Sequence, residues 1–144
     1  MTFSNDLKDW QKIEREFASR LMKWNVIKVE FPQWKFKDYD IKATFKKSWY
    51  EVEKTFEIKN DMVSDKTGNV WFEYLFRWEP SGIYTSKADY IVYKLGDKFY
   101  YIDRARLLIW LSKIDKTDVS WWDDNMAHMF LVKKEFFNSM AKEI

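Results

Sequence analysis

Residues 49–61, WYEVEKTFEIKND, alternate too strictly to be a helix. Phe56 and Ile58 point to one face, while Glu57, Lys59 and Asp61 point to the other, as successive strand residues must. A long strand with an apolar back needs a core to cover it. Its front carries a carboxylate, an ammonium and a second carboxylate. Either that front is a solvated face with salt bridges, or it is a metal site with a lysine beside it.

The run YDIKATF (39–45) precedes it, and the two read as the arms of a hairpin turning through Lys46–Ser48. Before them, residues 5–24 repeat apolar side chains at Trp10, Ile13, Phe17 and Leu21, which predicts a helix with Ser4 or Asn5 as its cap. VIKVEF (26–31) is a strand stopped by Pro32. After the hairpin, DKTGN (65–69) is a turn with Gly68 at positive φ. VWFEYLFRW (70–78) is a strand broken by PSG (80–82). ADYIVYKL (88–95) and KFYYI (98–102) form a second hairpin. RARLLIWLSK (104–113) is a short helix, AHMFLVK (127–133) a strand and KEFFNSMAKEI (134–144) a helix. The order predicts an α/β (α+β) domain with a central mixed β-sheet flanked by helices. One domain spans 1–144, with a core over about 5–113 and a strand–helix extension over 114–144.

Composition narrows the chemistry. Aromatic residues make up 20% of the chain, with nine Trp, so the chain has ample material for a core. There is no Cys and a single His, His128, which excludes disulfides, thiolate zinc sites and poly-imidazole sites. Hydrolytic catalysis would have to rest on carboxylates, lysines, hydroxyls and a hard metal. The net charge of +2 argues for no partner by itself. Lys35, Lys37, Lys42, Lys46 and Lys47, interleaved with Trp34, Phe36, Tyr39 and Phe45, suit a nucleic-acid surface or a charged edge strand. The N-terminal MTFSNDLKDWQKIERE lacks the pattern of a signal peptide, and no segment approaches bilayer-spanning length, so cytoplasm, or a host cytoplasm, is expected.

Asp40 and Glu57 become cross-strand neighbours if the hairpin turns between Ser48 and Trp49, with Cβ atoms about 4.5–5.5 Å apart. Carboxylates that close repel. A bridging divalent cation removes the repulsion and supplies a Lewis acid. Lys59 stands about 7 Å along the same face, where it can meet a phosphate. Glu14 shares the apolar face of the first helix with Trp10, Phe17, Ala18 and Leu21. A carboxylate on a buried stripe requires a partner.

These residues resemble the PD-(D/E)XK nuclease superfamily: Asp40, then Glu57-x-Lys59 after a hairpin-length gap, preceded by a helix bearing a glutamate. YDI (39–41), FEIKND (56–61), KTGNVWFEY (66–74) and PSGIYTSKADYIVY (80–93) are similar to a small phage-type branch associated with nucleases and Holliday-junction-resolvase-like proteins. The likeness covers roughly residues 10 to 112. It departs from the usual motif in lacking a Pro before the aspartate, and Asp38 is a rival ligand on the same face. The resemblance implies a restriction-endonuclease-like core and metal-dependent hydrolysis of DNA, as an endonuclease rather than an exonuclease, acting on branched or recombination intermediates. It implies Mg²⁺ or Mn²⁺ held by Asp40, Glu57 and the backbone carbonyl of Ile58, with Asp40, Glu57, Lys59 and Glu14 catalytic. A protein that keeps the fold and binds DNA without cutting it is the alternative.

Lys35, Lys37, Lys42, Ser81 and Lys87 are candidate DNA contacts. Glu73 is a candidate outer carboxylate. Symmetric nicking of a junction needs two active sites, hence a C2 homodimer, with Trp121, Trp122, Met126, Met129 and Phe130 in the 114–132 segment as its expected interface.

Overall fold

The computed structural model describes residues 3–32, 38–61, 64–121 and 127–144. Helix α1 (Phe3–Leu21) leads into strand β1 (Val26–Glu30) and the hairpin β2 (Ile41–Lys47) and β3 (Tyr50–Asp61). A single helical turn, α2 (Ser64–Thr67), precedes β4 (Asn69–Phe76) and the short β5 (Glu79–Pro80). A 3₁₀ turn (Gly82–Tyr84) connects to the hairpin β6 (Tyr90–Leu95) and β7 (Lys98–Asp103). The chain closes with α3 (Arg104–Lys113), β8 (Thr117–Trp121), β9 (Ala127–Lys133), α4 (Lys134–Met140) and β10 (Lys142–Glu143).

The fold is α+β. Six strands in the order β1-β2-β3-β6-β7-β10 make a mixed central sheet, in which β3 and β6 pair parallel and the other neighbours antiparallel. A parallel pair needs a crossover, and here the crossover carries β4 and β5. These join β9 and β8 in a second, four-stranded antiparallel sheet, order β5-β4-β9-β8.

The alternation of β3 decides which layer covers which face. Phe56 and Ile58 face α1, packing with its Phe17 and Leu21 and with Val92 and Phe99. Phe17 meets the rings of Phe56 and Phe99 at 5.3 and 5.5 Å. On the opposite face Ile91, Tyr93 and Ile102 pack against Leu107 and Leu111 of α3, Phe137 of α4, and Val70, Phe72 and Val132 of the small sheet. β6 is accordingly buried on both faces, as central parallel strands are.

Several boundaries differ from the sequence reading. Ser4 and Asn5 lie inside α1 rather than capping it. The hairpin turns one residue later than Lys46–Ser48, because Lys47 pairs with Tyr50 and Ser48 takes the positive φ (47°) that a primed turn requires. The 70–78 strand stops at Phe76, where Arg77 and Trp78 both enter the left-handed region (φ 50° and 67°) and reverse the chain. Gly68 has positive φ as expected. The 114–144 segment holds two additional strands: β8 pairs with β9, and the expected 134–144 helix stops at Met140 so that Lys142 pairs with Tyr101. Nor is that segment peripheral, since Val132, Phe137 and Ala141 sit in the main core.

Candidate active site

The hairpin register is the predicted one. Ile41 pairs with Phe56, Lys42 with Thr55 and so on to Lys47 and Tyr50. Asp40 therefore lies one residue beyond the ladder's last pair, opposite Glu57, and its N–H donates to the Phe56 carbonyl at 2.8 Å. Its carboxylate then fills the gap left where β2 ends. Asp40 Oδ2 accepts the Ile58 N–H at 2.7 Å, in place of a ladder bond. A strand residue sends its N–H and C=O toward the same neighbour, so the Ile58 carbonyl also leaves on the Asp40 edge.

Glu57 and Lys59 share the face of Ile91 and Tyr93, their partners across the β3–β6 ladder. The Lys59 ammonium stands 3.5 Å from Glu57 Oε2. That oxygen is buried and accepts no hydrogen bond, so the contact with Lys59 is electrostatic without hydrogen-bond geometry. A buried carboxylate oxygen without a donor is costly. The segment is held from its other side by Asp89, just before β6. Asp89 Oδ2 accepts the Thr55 N–H at 2.9 Å and the Thr55 hydroxyl at 3.1 Å, and the Asp89 N–H donates back to Thr55 Oγ1 at 2.9 Å. This brace fixes the β3–β6 register two residues from Glu57, and Asp89 was not singled out from the sequence. Its only local signal is an acid preceding a strand.

Lys59 also borders a cleft of about 190 Å³, walled by Trp10, Trp71, Glu73, Ile83 and Tyr93. Tyr93 is fixed there by donating its hydroxyl to the Trp71 carbonyl at 3.1 Å. Glu73 accepts the Ser81 hydroxyl at 2.9 Å. Gly82 (φ +54°) follows, and a Cβ on it would run into the Glu73 backbone carbonyl, so the 81–85 loop can seat only with glycine there. Arg104 clasps that loop through the Ile83 and Tyr84 carbonyls, both at 3.1 Å.

Glu14 is buried (8% exposed) on α1, the helix that covers the Phe56 face and whose Trp10 reaches the cleft beside Lys59. Among the described residues no group of three His, Cys, Asp or Glu side chains is placed to hold a metal ion. Asp38, the rival ligand, is exposed and pairs with Lys87 at 3.8 Å. Lys42 lies 3.9 Å from both Glu30 and Glu53, an ion-pair ladder of the ordinary kind. Ser81 is engaged with Glu73. Lys35, Lys37, Trp34 and Phe36 lie outside the described residues, as do Trp122 and Met126. Met129 is buried, and the partly buried Phe130 stacks on Tyr74 at 4.2 Å within the small sheet. His128 packs against Tyr74 and Trp78, with its Nε2 buried and unpartnered.

Asp40, Glu57 and the Ile58 carbonyl would offer oxygen donors alone, a chemistry that suits Mg²⁺ or Mn²⁺ rather than zinc. Mg²⁺ commonly takes one or two protein carboxylates and completes its shell with water and phosphate oxygens. The donorless Glu57 Oε2 fits such a ligand, and a third acid is not required. Among known proteins, no family model, curated protein or solved structure matches the chain.

Proposed function

We propose that the protein is a metal-dependent deoxyribonuclease of the PD-(D/E)XK type, with a restriction-endonuclease-like core and its active site at Asp40, Glu57 and Lys59. One observation carries the reading: the buried, donorless Glu57 Oε2 lies beside Lys59, while Asp40 is tied to the intervening residue, Ile58. The order of elements supports it too, with a leading helix, a hairpin bearing Asp40 on one arm and Glu57-x-Lys59 on the other, within a mixed sheet.

Asp40, Glu57 and the Ile58 carbonyl would hold Mg²⁺ or Mn²⁺. When bound, the cation supplies a Lewis acid to the phosphodiester and to an attacking water. Lys59 holds the negative charge that develops on the phosphate oxygens as the P–O bond breaks. The Asp40–Ile58 hydrogen bond and the Thr55–Asp89 brace keep both catalytic side chains at fixed positions, so little reorganisation accompanies the reaction. Trp10 and Trp71, in the cleft beside Lys59, offer ring faces to a base next to the scissile phosphate. Branched recombination intermediates are the proposed substrates, cut endonucleolytically by a homodimer.

The test is incubation with labelled linear, flapped and four-way-junction DNA in Mg²⁺, Mn²⁺ or EDTA. Metal-dependent cleavage supports the proposal. Cleavage that survives EDTA excludes it, and DNA binding without cleavage points to the non-catalytic alternative.

A further inference from the structure

The opposite face of the same hairpin carries a second site with different chemistry. The alternation of β2 and β3 puts Phe45, Lys47, Tyr50, Val52 and Lys54 on the Phe56 face, and Phe45, Lys47, Val52 and Lys54 meet Leu21 at the end of α1 around one cleft. Trp24 (48% exposed), just past the helix, and Tyr90 and Tyr101 of the neighbouring strands complete this cleft of about 190 Å³. The cleft has aromatic walls. Phe56 and Tyr90 stack at 5.3 Å, Tyr90 meets Tyr101 edge-on at 5.8 Å, and Tyr101 meets Trp24 edge-on at 6.1 Å.

Its rim is cationic. Lys47 and Lys54 line the opening, and no ion pair among the described residues engages either. Lys142 pairs across the β7–β10 ladder with Tyr101 and so shares its face. The hairpin acids Glu51, Glu53 and Glu57 all have the parity of the other face. Among the described residues of β6 and β7, Asp103, opposite Tyr90, is the acid that shares this one, and its carboxylate caps α3 by accepting the Arg106 N–H at 3.1 Å. Aromatic walls under a rim of uncommitted lysines complement a planar base carrying phosphates. The volume admits one base and is below the roughly 300–1,000 Å³ of sites that enclose larger cofactors.

We propose that this cleft binds single-stranded nucleic acid: one unpaired base enters against Trp24, Tyr90 and Tyr101, and the flanking phosphates lie on Lys47 and Lys54. The site goes beyond the nuclease reading and does not depend on it, since it needs neither a metal nor Lys59.

The experiment is anisotropy of a fluorescein-labelled oligo-dT titrated with the full chain in EDTA, over a range of salt concentrations. The wild type binds. Lys47→Ala/Lys54→Ala reduces the slope of log K against log salt by about 1.4, at 0.7 per single-strand phosphate contact. Trp24→Ala weakens binding by about 5- to 150-fold, the loss of one stacked base, and Trp24→Phe restores most of it. The lysine variant removes only rim charges and keeps the test decisive if Trp24→Ala does not fold. Wild type and variants binding alike would overturn the proposal. So would dTMP competing as well as the oligonucleotide, which would make the cleft a mononucleotide pocket. A wild-type dimer dissociated by Trp24→Ala with unchanged DNA binding would make it a self-interface and overturn it too. Absence of Mg²⁺-dependent cleavage with these shifts intact removes the nuclease reading and leaves this one standing.

Discussion

The carboxylate of Asp40 takes the backbone N–H of Ile58 at 2.7 Å, tying the end of one hairpin arm to the residue between Glu57 and Lys59. A side chain thus does locally what the strand ladder does elsewhere, and the Glu57-x-Lys59 segment stays straight past the point where β2 stops. The same bond separates Asp40 from Asp38, whose carboxylate lies 3.8 Å from the exposed Lys87.

The two aspartates should therefore differ in stability effect. A hydrogen bond to a charged group contributes about 1.5–3 kcal/mol, so Asp40→Ala should lower unfolding free energy by that order. Asp38→Ala, which breaks an exposed ion pair, should stay within about 0.5 kcal/mol. Urea denaturation of both variants checks this, and equal losses would contradict the assignment of Asp40 to the site.

How much of this was legible in the sequence follows from how local each cause is. The parity of Phe56 and Ile58 against Glu57 and Lys59 is a local signal, and with a two-residue turn it yields the pairing that brings Asp40 opposite Glu57. The ends of β2 and β4 were misplaced because Ser48, Arg77 and Trp78 adopt positive φ without the Gly or Asn that marks such positions. β8 and β10 exist through pairing with β9 and β7, which no local pattern in TDVSW or in the helical-looking KEFFNSMAKEI reveals. The Thr55–Asp89 brace is likewise non-local. The acidic periodicity of Glu14 correctly marked a buried carboxylate on α1, but whether the helix lies on the Glu57 face is a tertiary fact.

Metal binding separates ligands from the lysine. Calorimetric titration with Mn²⁺ should give a saturable isotherm for the wild type and for Lys59→Ala. Asp40→Asn and Glu57→Gln should lose measurable binding, because each removes a charged oxygen ligand. Unchanged affinity in Glu57→Gln would remove the metal from the account.

Tyr74 gives a pH signature remote from the site. Its hydroxyl lies 2.7 and 2.8 Å from the two Asp118 carboxylate oxygens. Burial, then the hydrogen bond to Asp118 and its charge, push the phenol from 10.0 up to about 12. A pKa raised by folding stabilises the fold fully below the unfolded value and ceases to do so as pH rises through the folded one. The melting temperature of the wild type should fall between about pH 10 and 12 more steeply than that of Tyr74→Phe. Parallel curves would show that the Tyr74–Asp118 pair is not coupled to folding.

Gly82→Ala should cost more than about 1 kcal/mol, since alanine disfavours φ +54° and its methyl meets the Glu73 carbonyl. Thermal melts measure the loss, and a neutral effect would mean that the 81–85 loop does not rest on β4 as described.

The most direct measurement is the single-turnover rate of Mg²⁺-dependent cleavage of labelled DNA by wild type, Glu57→Gln and Lys59→Ala, with DNA affinity measured in parallel. The account predicts no cleavage by Glu57→Gln and a rate lowered by about 10²–10³-fold for Lys59→Ala, the effect of removing one preorganised charge-stabilising donor. Affinity for DNA should change little in either variant, as a single phosphate contact among several is lost. Lys59→Ala cutting at the wild-type rate would contradict it and leave Glu57 and Lys59 as an ordinary ion pair on a decorated strand.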